Sequence, residues 1–128
     1  MSRVSIPPRS PFEKEIGFTR ALRVGQRIEV SGTVGIAEDG SVPESAREQA
    51  DRCFALIADH IERLDGKVSE IVRIRMFVTD MAYADDVSAA FAAALQGVRP
   101  TATLVGVTSL YDPSWKVEIE AEAQVGET

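Results

Sequence analysis

Residues 117–124, VEIEAEAQ, alternate without a break: Val117, Ile119, Ala121 and Ala123 fall on one side, and Glu118, Glu120 and Glu122 on the other. Only a β-strand changes face at every residue, so the segment is predicted to be a strand with one apolar and one acidic face. EIVRIRMFVTD at 70–80 has the same period, with Val72, Ile74, Met76 and Val78 on one face and Arg73, Arg75, Phe77 and Thr79 on the other. Apolar sheet faces of this kind need a second layer to cover them.

That layer is legible as helices. Ala50, Cys53, Phe54, Ile57, Ala58, Ile61 and Leu64 recur at spacings of three and four and form one apolar stripe. Ser41 and Glu44 have the spacing of a capping box, with Pro43 tolerated in the first turn, so the helix is predicted to begin there and to stop at Gly66. Asp80 is predicted to cap a second helix, lined by Val87, Ala90, Phe91, Ala94 and Leu95 and ended by Gly97.

Ahead of these, FTRALRVGQRIEVSGTVG reads as a hairpin turning near Gly25, with Ile28 and Val30 opposite Arg27, Glu29 and Ser31. A further strand is expected near 101–107. The order strand, strand, helix, strand, helix, strand, strand gives an α+β fold: a mixed or mainly antiparallel sheet with both helices on one face. The two helix-to-strand passages hint at a βαβ-type unit. One domain over 1–128 is expected, with 1–12 an extended, mobile lead-in carrying three of the six prolines.

Composition narrows the function. A chain of 128 residues, 45% hydrophobic and 27% charged, is ordinary globular material with enough length for one core. The net charge of −6 argues against nucleic acid as a partner, because phosphates demand a basic face first. Arg20, Arg23 and Arg27 are interleaved with Glu29 and apolar residues and read as strand-edge charges. The apolar runs are far too short to cross a bilayer and no leader pattern opens the chain, so a cytoplasmic protein without membrane contact is expected. Cys53 stands alone, which excludes a disulfide and a cysteine-based zinc site within one chain. Neither a metal-ligand cluster nor a glycine-rich phosphate loop is seen, and no cofactor is expected. His60, the single histidine, is read as a helix-surface or hydrogen-bonded boundary residue, which leaves general acid–base cleavage of RNA without its usual residue.

The face without helices then carries Arg73 and Arg75 together with Glu118, Glu120 and Glu122. Two readings stay open. Such charges are at home on a water-exposed sheet, where each pair contributes at most about 1 kcal/mol. Phe77, Thr79, Thr101 and Thr103 on or near the same face favour contact with other subunits instead. Trp115, likewise, is either the cover of a cleft or an aromatic plug beside the last strand.

VSGTVG (30–35), QADRCFALI (49–57), IVRIRMFVTDM (71–81), RPTATLVGV (99–107) and VEIEAEA (117–123), in that order and spacing, make the chain similar to the Rid/YjgF family. The family is also called endoribonuclease L-PSP-like, or reactive-intermediate deaminases, and the resemblance spans nearly the whole length. It implies a chorismate-mutase-like subunit, a homotrimer, and small-molecule sites in clefts between neighbouring subunits. It also implies hydrolysis of 2-imino acids and related enamines without metal or cofactor.

In the family an arginine in the segment matching PTATLV clamps the substrate carboxylate, and a glutamate on the last strand orients or activates water. The glutamate is matched by Glu118. The arginine is not: Ala102 stands in its place, between Thr101 and Thr103. The chain therefore resembles divergent subgroups that lack this arginine, and standard 2-imino acid deamination is not expected of it. Phe18 falls near a cleft-lining tyrosine of the family, so Phe18 and Arg20 are candidates for the same pocket, together with Ser31, Gly32, Ala102 and Thr103. Arg20 is either a surface strand arginine or the cation that replaces the missing one. Two functions follow: hydrolysis of an unidentified imine, enamine or carbonyl compound through Glu118, or noncatalytic binding of a metabolite in a regulatory role.

Overall fold

The computed structural model describes residues 2–126. In chain order its elements are β1 (Arg3–Ser5), β2 (Ala21–Val24), β3 (Arg27–Val34), α1 (Ala46–Arg63), β4 (Ile71–Val78), α2 (Ala84–Ala94), β5 (Thr101–Gly106) and β6 (Val117–Gln124). The strands form one sheet in the order β1-β2-β3-β6-β4-β5. All neighbours are antiparallel except β4 and β5, which run parallel on either side of α2. The hint of a βαβ unit thus corresponds to the one parallel pair of a mixed α+β sheet.

Both helices lie on one face. Ile28, Val30, Ile74, Met76, Val78, Val117, Ile119, Ala121 and Ala123 meet Cys53, Phe54, Ile57, Ile61, Val87 and Ala90 in a single buried cluster. Each fully buried Ile or Val side chain contributes about 1.5–3 kcal/mol relative to exposure, which is why the alternating pattern dictates the sheet's orientation. Phe54 and Phe91 join the helices edge to face, 6.1 Å between ring centroids. No helix among the described residues is long and apolar enough to cross a membrane.

Three local expectations are corrected. α1 begins at Ala46, not after Ser41, and Ser45 is its N-cap: the Glu48 amide donates to Ser45 Oγ at 3.1 Å. Ser45 and Glu48 have the same capping-box spacing closer to the stripe, while Ser41 is taken up by a turn, its amide and hydroxyl both donating to Asp39 Oδ1. At the start of β4 the pairing with β6 shifts between Ile71 and Arg73, so Ile71 faces the core and Val72 is 45% exposed. A bulge of this kind inverts the faces on one side of it. The lead-in contributes more than extended chain, since Arg3–Ser5 pairs with β2 and a π-helical turn follows at Glu13–Gly17.

Candidate functional site

A second bulge builds the site. β3 keeps register with β6 at Val30↔Ala121 and resumes it at Thr33↔Ile119, so Ser31 and Gly32 together oppose Glu120. The extra residue is held by Ser31, whose amide donates to Arg20 O at 3.0 Å and whose hydroxyl donates to Thr19 O at 2.7 Å. Thr33 Oγ1 closes the bulge on Ser31 O at 2.8 Å. Gly32 is thereby pressed against Glu118. A Cβ on Gly32 would overlap Glu118 Oε2 and stand 2.9 Å from its Cδ, so the carboxylate occupies space that only glycine leaves open.

Glu118 faces a cavity of about 340 Å³ whose wall includes Phe18, Arg20, Gly32 and Trp115. Burial pushes its carboxyl above the ordinary 4.5, Arg20 pulls it back, and the charge of Glu120 adds to the rise. A half-buried carboxyl of raised pKa exchanges its proton more readily near neutrality than an exposed one. Among the described residues Glu118 forms no ion pair within 4 Å. Arg75, a candidate partner, pairs instead with its cross-strand neighbour Glu120 at 2.8 Å, and Glu118 is opposite Phe77.

Arg20 is already engaged. Its Nη1 donates to Gly32 O, its Nε lies 3.3 Å from Glu13 Oε1, and its guanidinium sits 5.2 Å from the Phe18 ring centroid. Burial lowers its pKa, with Glu13 and Glu118 opposing the change and Arg9 adding to it. Glu13 is buried in turn, and its carboxylate accepts from the amides of Arg9 at 2.7 Å and Ser10 at 2.9 Å. The acid fixes the π-helical turn to the arginine and the arginine to the bulge, so both groups are structural members of the cavity wall.

Of the residues singled out in the sequence, Phe18, Arg20, Gly32 and Glu118 come together in this cavity, whereas Ser31 lines a separate depression with Arg75 and Glu120. Ala102 and Thr103 do not. They lie on β5 at the far edge of the sheet, in register with Ile74 and Arg75. Trp115 lines the cavity beside Tyr111, 6.3 Å between ring centroids.

Sequence reasoning missed Glu13, Arg9, Phe12 and Tyr111, which lie in segments without periodicity. It also missed Gln49, a buried amide that ties the loop after β5 to α1. Gln49 Nε2 donates to Pro43 O at 2.8 Å and Ser114 O at 3.0 Å, and its Oε1 accepts from the Lys116 amide at 2.8 Å. The available signal was its position four residues before Cys53 on the buried stripe. The expectation for His60 is corrected: it is 1% exposed, and neither ring nitrogen has a hydrogen-bond partner among the described residues. It follows Leu56 and Ile57 at helical spacing, so the helix turns it inward despite its polarity.

Comparison with known proteins gives a consistent likeness. Residues 9–125 match the model of the family described as Endoribonuclease L-PSP. An uncharacterised protein of Streptomyces coelicolor is 30% identical over 118 residues, which cover 91% of this chain and 88% of that protein. The crystal structure of a YjgF/YER057c/UK114 family member from Mycobacterium tuberculosis superposes with a TM-score of 0.89 at 31% identity, covering 97% of this chain and 100% of that one. RidA from an Antarctic Psychrobacter gives 0.80 at 26% identity, covering 84% and 88%.

Proposed function

Because the chain belongs to the Endoribonuclease L-PSP family, which takes in the YjgF and RidA proteins, we propose that its cavity binds a small metabolite and that Glu118 hydrolyses an imine, enamine or carbonyl compound there. The observation that carries this reading is the Glu118 carboxyl, raised in pKa by burial and held against Gly32 with no ion-pair partner within 4 Å among the described residues. For an imine, Glu118 takes a proton from water as the water oxygen bonds to the C=N carbon. The proton passes to nitrogen to give a carbinolamine, and a second proton then moves from its hydroxyl to nitrogen through Glu118 as the C–N bond breaks, leaving ammonia and a carbonyl.

Simple 2-imino acids are poor substrates on this reading. Ala102 offers no charge, and Arg20 is committed to Glu13 and Gly32 O. Forgoing a charge-assisted carboxylate contact forfeits roughly 1.5–3 kcal/mol of recognition. The chain accordingly falls in a subgroup of the family that works without that arginine.

The functional unit is a homotrimer in which a neighbour's β5, with Ala102 and Thr103, closes each cavity into a cleft. Its support is the helix-free face, where Val72 and Val105 are 45% and 40% exposed around the Arg75–Glu120 pair. Sedimentation should give about three times the chain mass of 13.9 kDa. A persistent monomer would remove this part of the reading.

The test of function is a panel of imines, enamines and acylated compounds, assayed for ammonia or carbonyl release with wild type and Glu118→Gln. Turnover that disappears in Glu118→Gln while the assembly survives supports hydrolysis. A second reading, noncatalytic binding in a regulatory role, has its own support: Glu13 and Arg20 are spent on structure, which leaves Glu118 without an acid–base partner in the cavity. A ligand that binds saturably without being turned over would favour it.

A further inference from the structure

The apolar end of the cavity has a construction that hydrolysis through Glu118 does not require. Phe12 meets Tyr111 edge to face at 5.5 Å, and Tyr111 meets Trp115 at 6.3 Å between ring centroids. Phe12, Ile16, Phe18 and Tyr111 all line the cavity, and among the described residues they are four of the eight large apolar side chains left exposed. Tyr111 is 81% exposed. Apolar surface concentrated at one cavity mouth, rather than scattered, marks a binding surface.

Two segments far apart in sequence supply these rings, and each is anchored by a buried polar group. Glu13 fixes the turn that bears Phe12 and Phe18 through the amides of Arg9 and Ser10. Gln49 fixes the loop that bears Tyr111 and Trp115 through Ser114 O and the Lys116 amide. The frame is therefore set before a ligand arrives, which lowers the ordering cost of binding. The polar groups facing the cavity are unequal. Glu13 and Arg20 are bonded to each other and to backbone, Arg9 stands at the exposed rim, and Glu118 is open.

We propose that this cavity selects a planar aromatic or conjugated compound that directs an N–H at Glu118 and carries no carboxylate. The rings take the flat apolar body by stacking and edge contacts. The Glu118 carboxylate accepts the N–H and repels a second carboxylate brought beside it, and the Arg20 guanidinium already faces the charge of Glu13 at 3.3 Å and bonds Gly32 O. The inference rests on the reading of the cavity as the ligand site and names the substrate class for it.

Trp115 is the only tryptophan of the chain, so its fluorescence reports on this cavity directly. The probes are benzamide, which has a ring and an N–H, acetamide, which lacks the ring, and pyruvate, which has a carboxylate and no ring. Titration of the full chain should show saturable quenching of Trp115 by benzamide, far weaker binding of acetamide and pyruvate, and confirmation by calorimetry. Tyr111→Ala, at a side chain too exposed to be needed for folding, should weaken benzamide roughly tenfold. Arg47→Ala, at an exposed side chain of α1 outside the cavity, should leave it unchanged. Tighter binding of pyruvate than benzamide, lost in Arg9→Ala, would overturn the substrate class while sparing the cavity. Absence of binding by all three probes, or benzamide binding indifferent to both Glu118→Gln and Gly32→Ala, would overturn the cavity reading itself. If Tyr111→Ala alters sedimentation and not benzamide affinity, the rings are a subunit contact and the proposal falls.

Discussion

His60→Leu should make the protein more stable and less sensitive to acid. The imidazole is 1% exposed, and neither nitrogen has a partner among the described residues. The nearest acid, Asp59, is 3.9 Å from Nδ1 and is itself paired with Arg63 at 2.9 Å. Burial drives the His60 pKa from the ordinary 6.5 to about 4, with the charge of Arg9 as the next cause, and Asp59 opposing. A pKa depressed in the folded state means that the unfolded chain binds the proton more readily. The neutral-histidine contribution is therefore fully present above 6.5 and is lost as pH falls through about 4. At about 1.4 kcal/mol per pH unit, that interval corresponds to roughly 3 kcal/mol of acid destabilisation from this one residue.

Leucine fills a similar volume, needs no hydrogen bond and does not titrate. At neutral pH the gain is expected to be about 1–2 kcal/mol, the desolvation cost of the unpartnered polar ring. Urea unfolding of both proteins at a series of pH values between about 7 and 4 measures the difference directly, and titration of groups shared by both proteins cancels in it. Parallel stability curves, or a leucine variant that is less stable at neutral pH, would refute the argument. Either result would mean that the imidazole is hydrogen-bonded in solution.

Gly32→Ala should displace the Glu118 carboxylate and abolish ligand binding or turnover with little loss of melting temperature, because the obstructing atoms are the end of a flexible side chain. Gln49→Ala leaves Ser114 O, Pro43 O and the Lys116 amide without their partner and should cost about 2–4 kcal/mol in denaturant unfolding. Glu118 has the opposite linkage from His60. Its raised pKa gives stability that is fully present below 4.5 and lost as pH rises through the elevated value, so Glu118→Gln should flatten the melting profile on that side. Arg75→Ala should leave isolated-subunit stability nearly unchanged in urea unfolding, since both partners are partly solvated; a clear loss seen only in the assembled form would locate the pair at a subunit contact.

The parts of this structure governed by periodicity were legible in the sequence. The stripe from Ala50 to Leu64 and the alternation of VEIEAEAQ fix their elements because burial acts on every second or every third and fourth residue alike. Errors cluster where one residue breaks a period. Alternation places Val72 in the core because a bulge is invisible to a count of alternate residues, and the bulge at Ser31 and Gly32 leaves no mark except a glycine. Ser41 has the spacing of a cap, and only the Asp39 turn seen in the structure takes it up and leaves that role to Ser45. Glu118 and Gly32 were named through family likeness; their contact follows from register. The aromatic mouth and the Glu13 anchor depend on contacts between segments of no regular pattern, which a chain read one window at a time does not contain.

The residues proposed for the site are separated in this chain by the sheet itself. β4 lies between β5 and β6, so the row bearing Ala102 and Thr103 is about 10 Å from the row bearing Glu118, at about 5 Å per strand. No rotamer change closes that gap, because both strands are fixed by backbone ladders to β4. β5 is moreover an edge strand, TATLVG, with no charged side chain and no proline to protect its open hydrogen-bonding side. Such an edge invites another chain. If another copy of this protein covers it, the copy's cavity meets Thr103 and Ala102 in trans, and the residue at 102 determines what lines the shared cleft without touching the fold of either subunit. Ala102 is exposed on this edge, so the residue there is free to vary without a cost to the subunit's core. On the proposed trimer, a change at position 102 alters the shared cleft while the family fold, and the Glu118–Gly32 contact within it, stays intact.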